Sequence, residues 1–245
     1  MTFLTWRRRA LAAAALFLLS GPAWASDEPP AETAALELSA NVALASDYRF
    51  RGISLSNRNP AIQGGVDLSH ESGFFVGTWA SSIADTAGAH VEVDLYGGYA
   101  GAAGPVQYTA TVLYYAYPGG KGVDYWELSG ALDADLGPAA LGVDIAWVPR
   151  QDNFGGDNFY LAGRATVPLG IEGASLFGHL GRENGDVYRG KWDWEAGLAY
   201  EFSPPIASAP PLTASVSYVD SNYGGAAEAG RLARAGVVAT LSASF

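Results

Sequence analysis

Acidic side chains recur two residues apart in this chain: Glu92 with Asp94, Asp133 with Asp135, and Asp193 with Glu195. Alternate residues of a β-strand share a face, so each pair puts two carboxylates on one side of a strand. The same parity adds Glu37, Asp47, Asp67, Glu127, Asp144 and Glu201 to the polar faces, while the basic residues there are few: Arg164, with Arg49 at the rim, and the inward-pointing His179. Gathered around a common interior, such carboxylates attract cations and repel anions, as rings of acids do in cation channels. Any one of them serves more readily to solvate a polar interior beside Arg, Tyr and Ser than to form a specific ion site. Their collective excess is what predicts ion preference.

Other chemistries have little support. The histidines His70, His90 and His179 stand in three distant segments, and there is no cysteine. That pattern supplies neither a metal cluster nor a thiol nucleophile. A hydrolase site would need His90 beside Ser81 or Ser82, the one pairing the spacing permits. Asp152 and Asp157 read as solvated loop acids rather than a calcium site. Gly64-Gly65, Gly97-Gly98 and Gly155-Gly156 precede no helix, so they are not phosphate loops. No cofactor is expected.

The elements that must position the acids follow from period-two patterning. Leu36, Leu38, Ala40, Val42 and Leu44 alternate with Glu37, Ser39, Asn41 and Ala43. A helix would mix these two sets. Further segments lie at about 61–70, 73–83, 90–101, 105–117, 124–136, 139–149, 157–168, 173–182, 191–203, 211–220 and 235–245, each about ten residues, the length that crosses a bilayer as a tilted strand. About twelve strands result, an even number, as in bacterial outer-membrane barrels. The fold class expected is all-β: a transmembrane antiparallel up-and-down barrel over residues 36–245. Segment 73–83 leaves open whether Phe74, Val76 and Ala80 or Phe75, Trp79 and Ile83 face lipid.

Connections alternate in length. Short ones fall at Glu71-Ser72, Gly101 to Gly104, Gly137-Pro138 and Leu169 to Glu172. Longer ones fall at Arg49 to Pro60, Ala84 to Ala89, Pro118 to Val123, Arg150 to Gly156, Glu183 to Gly190 and Ser221 to Arg234. Short periplasmic turns and long external loops are the rhythm of such barrels, and this places both termini in the periplasm. Ser203 to Pro210 is a longer, Pro-rich exception. Tyr48, Phe50, Tyr114, Trp126, Trp147, Phe159, Trp192 and Tyr218 are expected in an outer aromatic girdle, and Tyr99, Tyr108, Tyr200, Phe202 and Phe245 in an inner one. Phe245 closes an alternating strand and reads as an assembly signal.

The N-terminal residues complete the export reading. Arg7, Arg8 and Arg9 precede an apolar run from Ala10 to Leu19 and a small-x-small site at Ala23-Trp24-Ala25. Residues 1–25 are therefore expected to be a cleaved signal peptide, and 26–35 a short periplasmic lead. The formal charge is −11, and losing three arginines with the leader takes it near −14. Such acidity excludes nucleic acid as a partner. The partners expected are outer-membrane lipid, the barrel-assembly machinery and small solutes; nothing marks an oligomer interface.

Two runs carry a family resemblance: Ala45-Ser46-Asp47-Tyr48-Arg49-Phe50-Arg51-Gly52-Ile53-Ser54 and Gly73-Phe74-Phe75-Val76-Gly77-Thr78-Trp79-Ala80-Ser81. They resemble the TorF-type porin family of proteobacterial outer-membrane proteins, most of them uncharacterised. The resemblance implies an outer-membrane β-barrel in a Gram-negative bacterium and brings no solute and no catalytic residues.

About twelve strands lie between side-chain-filled barrels of about eight and aqueous porins of sixteen or more. A narrow diffusion path is expected, one that an infolded loop could close. The first loop, with Arg49, Arg51 and Arg58 among Phe50, Ile53 and Leu55, is the gate candidate, its arginines able to fold onto the acidic rim. The rival readings are a plugged structural or surface-interaction barrel, a membrane-embedded hydrolase and a soluble periplasmic barrel.

Overall fold

The structure, a computed structural model, describes residues 36–153, 156–205, 209–223 and 229–245. The expected leader (1–25) and periplasmic lead (26–35) lie outside the described residues. Twelve strands form one closed antiparallel barrel, each paired with its neighbour in sequence. They are β1 (Leu36–Ala45), β4 (Ala61–His70), β5 (Phe74–Thr86), β6 (Ala89–Ala103), β7 (Val106–Ala116), β8 (Tyr125–Asp135), β9 (Ala140–Val148), β10 (Asn158–Pro168), β11 (Ala174–Gly185), β12 (Lys191–Phe202), β13 (Leu212–Ser221) and β14 (Gly236–Ser244). A hairpin, β2 (Arg49–Phe50) and β3 (Ile53–Ser54), and one 3-10 turn, η1 (Gly230–Ala233), lie between barrel strands.

The barrel closes where β14 meets β1, with Val42 opposite Ala243 and Leu44 opposite Leu241. Beyond the ladder, the Phe245 amide donates to the Ala40 carbonyl at 2.8 Å. Closure pairs the backbone groups that an open edge would leave bare, which hydrocarbon does not tolerate. It also gives a chain without disulfides a covalent-free way to lock its ends together.

Period-two alternation sorts the side chains. Leu38, Val66, Val76, Leu95, Leu132, Ile145, Leu180, Leu198 and Val216 point outward and are exposed. A belt of this extent would not suit water, and it suits lipid. Trp126, Trp147, Phe159, Trp192 and Tyr218 rim it at the long-loop end; Tyr99, Tyr200 and Phe245 rim it at the short-turn end. Strand β5 resolves to one face: Phe74 and Val76 are outside, and Trp79, 4% exposed, is inside.

Three expectations need correction. Tyr48 and Phe50 are buried in the interior rather than set in the outer girdle, because β1 ends at Ala45 and the chain then turns inward. Ala84 to Ala89 is no long loop: β5 and β6 extend to a two-residue turn of Ala87 and Gly88, with φ of 53° and 101°. Positive φ at both central residues is the type I′ geometry that matches strand twist. Strand β11 runs to Gly185, so Glu183 belongs to the barrel wall and not to a loop.

Candidate functional site

The inward faces of the strands meet a segment that folds into the barrel, residues 46–60. Its hairpin turns on Arg51 and Gly52, with φ of 43° and 82°, again a type I′ turn. Gly52 is required there for a second reason. A Cβ at that position would lie 2.8 Å from the Ser221 Cβ and 2.9 Å from the Asp193 Cβ, so only glycine lets the tip approach the β12–β13 wall.

The base of the loop is organised by Asp47. One carboxylate oxygen accepts from the Ser54 hydroxyl at 2.5 Å and the Ser56 hydroxyl at 3.1 Å; the other accepts from Arg49 Nε at 2.6 Å. Arg49 and Arg58 reach across to the last long loop. Arg49 Nη1 donates to the Arg234 carbonyl at 2.8 Å, and Arg58 Nη2 to the Ala235 carbonyl at 2.9 Å.

The tip is held by charge. Arg51 donates to Glu127 Oε2 at 3.0 Å and to Glu183 Oε1 at 3.1 Å. Its guanidinium sits 4.2 Å from the Tyr160 ring centroid and 4.6 Å from that of Phe50. Lys191 completes the cluster, pairing with Glu183 at 2.6 Å and donating to the Arg51 carbonyl at 2.7 Å. Arg51 is 6% exposed, Lys191 1%, and Glu127 and Glu183 0%. Burial opposes the Arg51 charge, but Glu127 and Glu183 outweigh it and raise its pKa above the ordinary value. Two acids and two bases thus neutralise one another where water is excluded.

Tyrosines fill the space around this cluster. Tyr115 and Tyr125 stack at 4.4 Å, and the Tyr115 hydroxyl donates to Glu127 at 3.2 Å. Tyr48 packs edge-on against Trp79 at 5.5 Å and donates to Glu92 at 2.9 Å. Burial, with Glu92 beside it, pushes the Tyr48 hydroxyl well above its usual pKa and keeps it a donor. The interior of the long-loop half is therefore packed.

The acids named from parity divide between two zones. Asp47, Glu92, Asp94, Glu127, Asp144 and Asp193 are buried in the long-loop half. Glu37, Asp135 and Glu201 are exposed toward the short-turn end, with Asp67, Asp133 and Glu195 partly covered. Arg164 bridges Asp133 at 2.6 Å and Asp144 at 3.1 Å. His179 meets Asp193 at 2.9 Å and Glu195 at 3.5 Å. Asp67 accepts the Tyr96 hydroxyl across Gly77, where a Cβ would stand 2.5 Å from both groups.

The candidate hydrolase pair is not assembled. His90 lies at the rim, 3.8 Å from Asp85, while Ser81 bonds Gln63 and the Ser82 carbonyl. Asp152 is exposed on its loop. Among the described residues no group of three or more His, Cys, Asp or Glu could hold a metal. Sequence reasoning missed Glu183 and Lys191. Lys191 shares the parity of Asp193 and Glu195, and Glu183 that of His179, so the alternation contained both.

Similar solved structures include porins. The KdgM porin superposes with a TM-score of 0.55 at 9% identity, covering 84% of this chain and 98% of that one. The NanC porin gives 0.54 at 12% identity, with 85% and 99% covered. KdgM has also been solved in complex with disordered oligogalacturonate, and that structure gives 0.53 at 8% identity, with 85% and 97% covered. Identities this low speak for the shared fold. No curated protein matches the sequence. Residues 30–245 match a bacterial family of unknown function, and the chain belongs to it: the Gcw_chp family.

Proposed function

We propose that this chain is an outer-membrane porin of a Gram-negative bacterium, forming a narrow, cation-leaning passive channel for small solutes, with residues 46–60 as its gate. The observation that carries the proposal is the pinning of the gate by Arg51 on Glu127 and Glu183, inside a barrel whose inward faces are predominantly acidic. Withdrawing the Arg51 side chain would remove both ion pairs at the tip and leave only the Lys191 bond to the Arg51 carbonyl there, whereas the wall is fixed by its ladders. Beyond the gate a permeant ion meets Asp67, Asp133, Glu195, Asp135, Glu201 and Glu37, with Arg164 engaged by Asp133 and Asp144. That field favours cations. It suits a polyanion such as oligogalacturonate poorly. The TorF-type resemblance and the porin fold support the same reading.

In this arrangement the long loops face outward and both termini lie in the periplasm. Phe245, exposed at the lipid side of the barrel seam, serves as the assembly signal. No enzymatic step is part of the proposal. Planar-bilayer conductance in a KCl gradient tests it: cation-selective steps support it, and anion preference overturns it. A second reading, a permanently plugged barrel whose loops bind at the surface, is favoured by the exclusion of Arg51, Lys191, Glu127 and Glu183 from solvent. Conductance that stays absent after the gate is released would select that reading.

A further inference from the structure

We propose that the packed half of the barrel binds a partly hydrated monovalent cation, potassium or sodium, between Glu92 and Asp94. The two acids are neighbours on the inner face of β6, and both are 0% exposed. The other acids of this zone have basic partners: Asp47 has Arg49, Glu127 has Arg51, Glu183 has Arg51 and Lys191, Asp144 has Arg164, and Asp193 has the His179 imidazole. Glu92 and Asp94 have none among the described residues.

Their hydrogen bonding is incomplete in a specific way. Glu92 Oε1 accepts from Tyr48, but Glu92 Oε2 and both oxygens of Asp94 have no partner. Asp94 faces Trp79 across one ladder and Tyr115 across the other. The Trp79 indole N–H is also without a partner, and the Tyr117 hydroxyl lies close to Glu92. Three bare carboxylate oxygens, buried on one face of the strand, are costly unless a proton or a cation meets them. The Trp79 N–H supplies a donor, and the Tyr117 hydroxyl a donor or an acceptor, for a cation's remaining water.

Charge and ligand number decide the kind of cation. Two carboxylates and neutral hydroxyls are a sparse set for calcium, which takes about six to eight oxygens, several of them anionic. A single positive charge leaves one net negative charge on the pair, stabilised by the Tyr48 hydrogen bond. The site does not depend on ion conduction, since both acids belong to the β6 wall. It does depend on the loop, since Tyr48 covers it.

Rubidium is the probe, as a potassium substitute with usable anomalous scattering. Crystals of the full-length protein grown in rubidium chloride should show an anomalous peak between Glu92 and Asp94, lost in Asp94→Asn. Should that variant not fold, Glu92→Gln takes its place, and the wild-type peak stands alone as a test. No peak in the wild type overturns the proposal. So does an infrared band of a protonated carboxyl in potassium chloride that disappears in either variant, which would mean that a proton holds the site. Displacement of the rubidium peak by millimolar calcium, but not by sodium, would also overturn it by making the site divalent.

Discussion

Arg51 and Glu127 lie 76 residues apart in sequence, yet the guanidinium bonds both carboxylate oxygens of Glu127, at 3.0 and 3.2 Å. The pair ties the tip of an infolded hairpin to the β8 wall. It does so from a left-handed backbone conformation, φ 43°, that a non-glycine residue adopts at some cost. The ion pairs hold the turn, and the turn presents the guanidinium.

Removing the Arg51 side chain should loosen the gate at its tip, while Lys191, Arg49 and Arg58 still hold part of it. Arg51→Ala leaves Glu127 buried and unpaired, a loss of about 3–5 kcal/mol in comparable buried pairs. The variant is expected to melt earlier in detergent and to conduct more than the wild type. The double variant Arg51→Met with Glu127→Gln removes the stranded charge. It should recover much of the melting temperature while keeping the raised conductance.

The outward face of β5 is defined by Phe74 and Val76, and the inward face by Trp79. Val76→Arg, one outward position in from the rim that Phe74 and Tyr99 mark, should cost about 1–2 kcal/mol, between the interface and midplane values. Urea titration of the barrel in lipid bilayers measures this. A cost below about 1 kcal/mol, the value near an interface, would move Val76 out of the membrane core.

Tryptophan fluorescence reads the same boundary. Single-tryptophan proteins retaining Trp126, Trp147 or Trp192 should be quenched by brominated lipid, since each is exposed on the outer surface. A protein retaining Trp79 alone should not be, because that indole is in the interior against Tyr48.

The contacts of the gate's base predict a smaller effect. Asp47→Asn weakens the charge-assisted bond to Arg49 while leaving acceptors for Ser54 and Ser56. Conductance should then flicker between closed and open rather than stay open, because Arg51 still anchors the tip. Single-channel recording distinguishes these two behaviours.

The sequence made much of this barrel readable, since side-chain parity is a local property. Leu36 to Ala45 alternates cleanly, and the same rule turned Glu92, Asp94, Asp193 and Glu195 inward, where the structure has them. Parity failed where the chain leaves the wall. Tyr48 and Phe50 continue the apolar pattern of β1, and only the inward turn after Ala45 separates them from the girdle. The arginines of the first loop were recognisable as a group, but the choice of Glu127 and Glu183 as partners of Arg51 depends on which strands face each other across the barrel. Ala87-Gly88 was hidden because alanine rarely takes positive φ, so the turn read as part of a longer loop. Glu92 and Asp94 were visible as acids, while their lack of partners is a property of the assembled interior.

The central claim is tested most directly by the reversal potential of reconstituted wild-type and Arg51→Ala protein in a tenfold KCl gradient. The account predicts a potential of the sign for potassium over chloride in both, with larger conductance in the variant. A chloride-selective potential, or no conductance from either protein, would contradict it.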